Sequence, residues 1–212
     1  MAETLSALMK NHHTEVFKRH GCTPEGVDWG PQEDRFWLRH RNFLRLMEHE
    51  TSCSLLDVGC GYGAFLDAPT AVRIEYTGLD IVEEAARQGQ LRHPEATFLS
   101  GDFLDYPFEA ERFDYVICNG IFTQKLTASL PDMDAYTKAM IRKMFAVCRR
   151  GIAFNMMTSY VNYMAANLFY KSPAETLSWT MSELSPHVRL DHSYPLYEFM
   201  VYSFKRPTVV AR

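Results

Sequence analysis

The sequence predicts an α/β protein with a mostly parallel, seven-stranded sheet, helices on both faces and a C-terminal antiparallel hairpin. Between residues 52 and 157, short apolar runs alternate with segments of helical periodicity. This alternation is typical of parallel strands joined by crossover helices that cover both faces of the sheet. Two β-rich runs near the C-terminus are separated only by a short link around Pro195. A link this short permits only a hairpin, so one of the two strands is antiparallel to the rest.

The first fifty residues are predicted to form a helical lid. Apolar side chains recur at helical spacing up to Gly21, a segment of turn residues follows (22–31), and a second helix covers about 32–50. The chain is therefore divided into an N-terminal helical cap, residues 1–50, and an α/β domain, residues 51–212.

The elements of the α/β domain are predicted from local patterns in chain order. Each predicted strand is a short run of aliphatic, aromatic and β-branched residues. Each predicted helix repeats apolar residues three or four positions apart. The predicted strands are 52–59, 73–81, 96–102, 112–120, 151–157, 187–194 and 196–206, and the predicted helices are 64–72, 82–93, 132–149 and 173–184.

Charge and composition exclude several classes of function. The formal net charge is −4 and no dense Lys/Arg run exists, so we expect no nucleic-acid partner. No apolar run reaches the roughly 18–20 residues of a membrane span, and the charged N-terminal segment is unlike a signal peptide. The five cysteines form no CxxC pair, as is typical of reduced thiols. We therefore expect a cytoplasmic protein without membrane contact.

A glycine-rich turn follows the first predicted strand, in the run LLDVGCGYG (55–63). Gly59, Gly61 and Gly63 leave no side chains there, so the backbone can approach a ligand closely, and a following helix presents unpaired N–H groups. Glycines at such turns also serve NAD and FAD sites. The turn thus predicts a nucleotide-like ligand without identifying it.

Polar residues end the next three predicted strands. Asp80 lies 21 residues beyond Gly59 and can accept both hydroxyl hydrogens of a ribose. Asp102 follows the third strand and can accept a hydrogen bond from an adenine amino group, while Phe103 packs on the ring. Asn119 ends the fourth strand, at the carboxyl edge where sheet and ligand meet.

These four elements, in this order, resemble the class I S-adenosylmethionine-dependent methyltransferases, also called Rossmann-like or seven-stranded methyltransferases, over about residues 51–156. The GxGxG spacing also favours the methyl donor, because no pyrophosphate needs the longer GxGxxG loop. The resemblance implies S-adenosylmethionine as the cofactor. The residues that it places around the cofactor are Asp57, Gly59 and Gly61 at the methionine portion, Asp80 at the ribose, Ile81, Asp102 and Phe103 at the adenine, and Asn119 on the floor near the sulfonium.

The remaining segments look like a set of small bacterial methyltransferases acting on small molecules. The matching stretches are FNMMTSYVNY, FYKSPAE and DHSYPLYEF, and GVDWGPQEDRF before the glycine turn. That set reads His-Asp-Tyr-Pro-Leu where this chain has Asp191-His192-Ser193-Tyr194-Pro195-Leu196, so the acid precedes the histidine instead of following it. By the resemblance, Trp29 and Arg35 close over the cofactor, and Arg35 pairs with its carboxylate.

The function implied is methyl transfer by in-line displacement to an oxygen, nitrogen or carboxylate of a small-molecule acceptor. Alignment of the reacting groups supplies most of the catalysis, and a base is needed only for a protonated nucleophile. The candidate bases are His192, Tyr160 and Glu198, and of these we predict His192 and Tyr160 as the catalytic residues. No metal site is expected, because the adjacent His12 and His13 face different directions on a helix.

Two alternatives remain open from the sequence. A nicotinamide-dependent oxidoreductase is disfavoured by the glycine spacing and by Asp102. A catalytically silent module would bind S-adenosylmethionine but lack a substrate pocket, whereas an aromatic set is predicted to line one. This set is Phe122, Tyr160, Tyr163 and Tyr194. The oligomeric state cannot be read from the sequence.

Overall fold

A computed structural model describes residues 4–207. The chain forms two compact units, one up to Pro107 and one from Phe108 on. The helices are α1 (Leu5–His20), α2 (Glu33–Leu44), α3 (Glu83–Arg92), α4 (Leu130–Val147) and α5 (Pro173–Glu183). The strands are β1 (Ser52–Val58), β2 (Arg73–Asp80), β3 (Thr97–Ser100), β4 (Phe113–Cys118), β5 (Cys148–Thr158), β6 (Tyr170–Lys171), β7 (Val188–Asp191) and β8 (Glu198–Phe204).

Three parallel strands form the sheet of the first unit, with β2 between β1 and β3. β1 is buried over residues 53–58, as is usual for a parallel strand covered on both faces. The register aligns Val58 with Leu79 and Asp80 with Ser100. The carboxyl ends of the three strands therefore lie side by side, and the turns that follow them meet at one edge.

The cap residues belong to the first unit and pack on the segment after β1. Thr4 is the N-cap of α1 and its hydroxyl accepts the N–H of Ala7 at 3.2 Å, while Gly21 is the C-cap. Phe17 of α1 and Phe36 of α2 belong to one buried apolar cluster, so each of these helices has one face in the core. The other buried members of this cluster are Tyr62, Ala64, Val82 and Ala85.

The second unit is a mixed sheet. β4 and β6 pair with β5 in parallel, whereas β8 pairs antiparallel with both β5 and β7. The helices of this unit begin at capping serines: Ser129 accepts the N–H of Asp132, and Ser172 that of Glu175. The predicted C-terminal hairpin is thus confirmed as β7–β8, and the predicted α/β fold with mostly parallel strands is confirmed.

The structure differs from the prediction in several elements. The second cap helix, predicted over about 32–50, ends at Leu44. The structure has eight strands among the described residues instead of seven, because β6 is only two residues long and too short to show a pattern. The predicted helix 64–72 is a single 3₁₀ turn, Ala64–Asp67. Ala68 is extended because the ring of Pro69 disfavours helical geometry in the residue before it.

Within residues 4–207, no helix combines the length and the apolarity that crossing a membrane requires.

Candidate functional site

Asp80 joins the ends of β1 and β2 through backbone hydrogen bonds. Its Oδ2 accepts the N–H of Gly61 and its Oδ1 accepts the N–H of Val82, both at 2.8 Å. The carboxyl group is buried, and burial raises its pKa, while the two backbone N–H groups lower it. Asp80 therefore holds the glycine turn in place and presents a carboxylate at the strand edge.

The N–H groups of the three glycines are all used within the protein. Gly59 donates to the carbonyl of Leu79 at 2.8 Å, Gly63 donates to that of Cys60 at 3.0 Å, and Gly61 donates to Asp80. No α-helix follows the turn, only the 3₁₀ turn 64–67. The expectation of a helix directly after the turn is therefore wrong, and the glycine N–H groups are not left as free donors. Phosphate sites depend on such donors, so this turn is poorly suited to a pyrophosphate.

Gly61 allows close packing at the turn because it has no side chain. Its φ is +56°, and a Cβ there would lie 2.6 Å from Cγ1 of Val27. Only glycine avoids both the backbone strain and this contact. The 3₁₀ turn that contains Val27, at 25–27, consequently lies directly against the glycine turn.

Asp57, near the end of β1, is the second buried carboxyl group at this edge. Its Oδ2 accepts the hydroxyl of Tyr76 at 2.8 Å, whereas its Oδ1 is buried without a hydrogen-bond partner in the described part of the chain. Burial raises the pKa of Asp57 to about 7; the Tyr76 hydrogen bond lowers it and the charge of Asp80 raises it. Such an oxygen is suited to a ligand N–H, above all a cationic one.

The loop after β3 joins the same edge. Gly101 donates its N–H to the carbonyl of Asp80 at 3.0 Å. Asp102 Oδ1 accepts the N–H of Leu104 at 2.9 Å, which closes a local turn, and Phe103 is buried. Asp57, Asp80 and Asp102, predicted as site residues, are thus brought to neighbouring strand ends.

Of the two predicted cap residues, Trp29 packs against this region and Arg35 lies at an exposed position. Trp29 and Ile81 are partly buried, and both pack against the cluster that contains Tyr62. Arg39 lies over the Trp29 ring at 3.9 Å, while Arg35 is exposed on the first turn of α2. The Arg39 contact was missed by sequence reasoning, since nothing in the local pattern separates one arginine of α2 from another.

Three side chains of the cap could approach a metal ion: His12, His13 and Asp28. Their ligand atoms lie within 4.8 Å of one another, and the two adjacent rings are 5.0 Å apart, so adjacency does not separate them as expected. Donors to one tetrahedral zinc ion lie about 3.4 Å apart, given bonds of about 2.0–2.2 Å. The distance between His12 Nε2 and Asp28 Oδ2 is 2.7 Å, which is shorter than this spacing and corresponds to a hydrogen bond. Burial lowers the pKa of His13 to about 4.

In the second unit, Asn119 follows β4 directly. Its Oδ1 is buried and has no hydrogen-bond partner among residues 4–207. The next peptide is held by Asn155, whose Oδ1 accepts the N–H of Gly120 at 2.8 Å. Sequence reasoning missed Asn155, although a polar residue inside the apolar run of β5 signals a buried partner.

The predicted catalytic pair lies at the surface of the second unit. Tyr160 and His192 are both exposed, and their ring centroids are 6.3 Å apart. The predicted aromatic set is not one cluster: Phe122 is fully buried against Phe154, whereas Tyr163 is 80% exposed. Its members therefore divide between core and surface.

Comparison with known proteins gives one family and many structural relatives. A family model described as a methyltransferase domain matches residues 55–151. A protein of Mycobacterium tuberculosis that is assigned as a methyltransferase, Rv1506c, is 32% identical over 162 residues, which cover 74% of this chain and 96% of that protein.

Two solved structures illustrate the likeness in fold. Magnesium protoporphyrin IX methyltransferase from Synechocystis PCC 6803, with bound S-adenosylmethionine, has a TM-score of 0.67 at 13% identity, covering 97% of this chain and 99% of that one. Phosphoethanolamine N-methyltransferase 1 of Haemonchus contortus has a TM-score of 0.69 at 13% identity, covering 100% of this chain and 51% of that one.

Proposed function

The chain belongs to the class I S-adenosylmethionine-dependent methyltransferases, and we propose that it methylates a small-molecule acceptor. When bound, S-adenosylmethionine would supply an electrophilic methyl group. An acceptor oxygen, nitrogen or carboxylate would attack the methyl carbon in line with the C–S bond and displace S-adenosylhomocysteine. The observation that carries the ligand assignment is the pair of buried carboxyl groups, Asp57 and Asp80, beside a turn whose glycine N–H groups are already paired. Such a site favours hydroxyl and ammonium groups over phosphates.

We assign the polar parts of the cofactor to these two acids. Asp80 keeps lone pairs beyond those used by Gly61 and Val82, and it would accept the ribose hydroxyls. The unpartnered oxygen of Asp57 would accept the α-ammonium of the methionine portion, with Gly59 and Gly61 leaving room for the chain.

The remaining cofactor contacts in this proposal involve the adenine, the carboxylate and the sulfonium. Ile81 and Phe103 would pack on the adenine, with Asp102 at its amino group. Trp29 would close over the cofactor, supported by its packing on the same cluster as Ile81. The other two proposed contacts are Arg35 at the cofactor carboxylate and Asn119 on the floor near the sulfonium.

For the acceptor side we propose His192 and Tyr160. Their rings lie close together at an exposed position, where an acceptor can reach them. His192 would take a proton from a hydroxyl or amine nucleophile, and Tyr160 would orient the acceptor. The net charge of −4 supports an acceptor other than nucleic acid. All five cysteines are free thiols, which supports a cytoplasmic location.

S-adenosylhomocysteine is expected to raise the melting temperature, because a ligand that binds only the native state stabilises it by mass action. At ~100 times the dissociation constant the gain is about 2.7 kcal/mol, which corresponds to about 5–10 °C for a protein of this size. Differential scanning fluorimetry measures the shift, with NAD at the same concentration as the control. Protection by NAD alone would support the oxidoreductase alternative.

The acceptor is to be found by incubating the protein with methyl-labelled S-adenosylmethionine and pooled metabolite extracts. Labelled products identified by mass spectrometry name the acceptor and the methylated atom. A protein that binds S-adenosylhomocysteine but labels nothing across extracts is the catalytically silent module of the second alternative.

The cap is expected to close over the bound cofactor. Trp29 and Val27 lie on the cluster and the glycine turn, so a ligand there restricts their opening. Hydrogen exchange with and without S-adenosylhomocysteine should show protection gained in residues 20–40 and 157–170. Equal exchange in both states would mean that these segments are fixed scaffold.

A further inference from the structure

A buried series of hydrogen-bonded polar groups lies in the second unit, and its residues are not among those assigned above to the cofactor and the acceptor. Asn155 of β5 donates through Nδ2 to Oε2 of Glu198, the first residue of β8, at 2.8 Å. The antiparallel register pairs Asn155 with Met200 and Met157 with Glu198, so the two side chains are diagonal neighbours on one face. Asn155 is 1% exposed and Glu198 is 2% exposed.

The other end of this hydrogen-bonded series is the turn after β4. Asn155 Oδ1 accepts the N–H of Gly120 at 2.8 Å, and the carbonyl of Gly120 accepts the hydroxyl of Thr123 at 2.6 Å. Gly120 has φ +96°, a conformation that favours glycine. The peptide that follows Asn119 is therefore held at both of its polar groups.

The direction of these hydrogen bonds follows from which groups can donate and which can accept. A backbone N–H can only donate, so the oxygen of the Asn155 amide must face Gly120 and its nitrogen must face Glu198. The carboxylate of Glu198 thereby selects one of the two orientations of the amide. A buried polar pair in the middle of an apolar sheet is costly compared with two apolar side chains. Stability alone gives no reason for its presence.

We propose that Asn155 and Glu198 are positioning residues for methyl transfer. Glu198 orients the amide of Asn155, Asn155 holds the N–H of Gly120, and the turn so fixed sets the position of Asn119, whose Oδ1 is buried without a hydrogen-bond partner among the described residues. This rests on the proposed function, because Asn119 is assigned there to the floor near the sulfonium.

The test exchanges the donor and acceptor of the pair without changing its volume, at pH 8. Asn155→Asp places two carboxylates together, so its side chain turns away from Glu198 and methyl transfer to pooled metabolite extract slows about tenfold, as for one lost hydrogen bond. Glu198→Gln keeps an oxygen for Asn155 and should stay within about threefold of the wild-type rate. The double variant N155D/E198Q restores a donor opposite the carboxylate and recovers the rate.

The readouts separate positioning from structure. S-adenosylhomocysteine affinity, measured by calorimetry, should be unchanged in all three variants, and Glu109→Gln, at an exposed loop position of the second unit, serves as the control. Amide exchange of Gly120, measured by NMR, should speed up in Asn155→Asp and return to the wild-type rate in the double variant. Unchanged exchange in Asn155→Asp, or a rate loss that the double variant does not recover, would overturn the proposal. A wild-type protein that labels no extract counts against the proposed function instead.

Discussion

Replacing Asp80 with Ala is expected to weaken S-adenosylhomocysteine binding on the order of 100-fold. A hydrogen bond to a charged group contributes roughly 1.5–3 kcal/mol, and two such bonds to the ribose are not fully additive. Isothermal titration calorimetry measures the loss. Asp67→Asn, at an exposed acid that pairs with Arg92, is the matched control and should leave the affinity unchanged.

The ribose assignment has a sharper test than loss of affinity. The 2′,3′-dideoxy analogue of S-adenosylhomocysteine should bind wild-type protein much more weakly than the parent ligand. In Asp80→Ala the two ligands should bind almost equally, because the partner of the missing hydroxyls has also gone. If the preference for the parent ligand persists in the variant, another residue binds the ribose.

Asp80→Ala is also expected to lower stability, which the sequence alone does not indicate. The substitution leaves the N–H groups of Gly61 and Val82 without their acceptor. An unsatisfied buried donor costs about 1–3 kcal/mol. Asp80→Asn keeps one acceptor oxygen and should lie between wild type and Asp80→Ala in a urea titration, while losing most of the ribose binding.

Replacing Asp57 with Asn is expected to weaken S-adenosylhomocysteine binding about 10- to 100-fold at pH 8 by removing the charged acceptor of the α-ammonium. In wild type the pKa of Asp57 is about 7 without ligand, because burial disfavours the carboxylate. The ammonium favours the carboxylate, so binding releases a proton and weakens about tenfold between pH 8 and pH 6. The variant should lack this dependence.

The same substitution should stabilise the unliganded protein at pH 8. The folded-state pKa of Asp57 lies above its ordinary value of 3.8, so the folded protein binds the proton more tightly than the unfolded chain does. Stability from this group therefore falls as pH rises from about 4 to 7. Asn removes the buried charge, and the gain at pH 8 is up to roughly 4 kcal/mol.

Urea titrations of the two proteins at pH 8 and pH 4 measure this difference. At pH 4 the Asp57 carboxyl is protonated in the folded state, so the gain should vanish. Tyr76 can still donate to the amide oxygen of the variant, which preserves its hydrogen bond. A variant that binds the ligand as wild type does at every pH would refute the ammonium assignment.

The alternation of strands and helices, the glycine turn and the β7–β8 hairpin could all be predicted from the sequence. Each depends on residues that are close together along the chain: a run of buried positions, glycines at fixed offsets, a link too short for a crossover. The placement of Asp57, Asp80 and Asp102 at one edge follows as well, because parallel strands end at the same edge. The family resemblance rested on these local features.

What only the tertiary structure decided is how the polar groups are partnered. The oxygens of Asp57 differ because Tyr76, 19 residues away, occupies one of them. Asn155 meets Gly120 across 35 residues and Glu198 across 43. The N–H groups of Gly59, Gly61 and Gly63 are used by Asp80 and by backbone carbonyls. A hydrogen bond needs its two atoms within about 3 Å, and a periodic pattern determines which face a residue lies on but not its distance from another element.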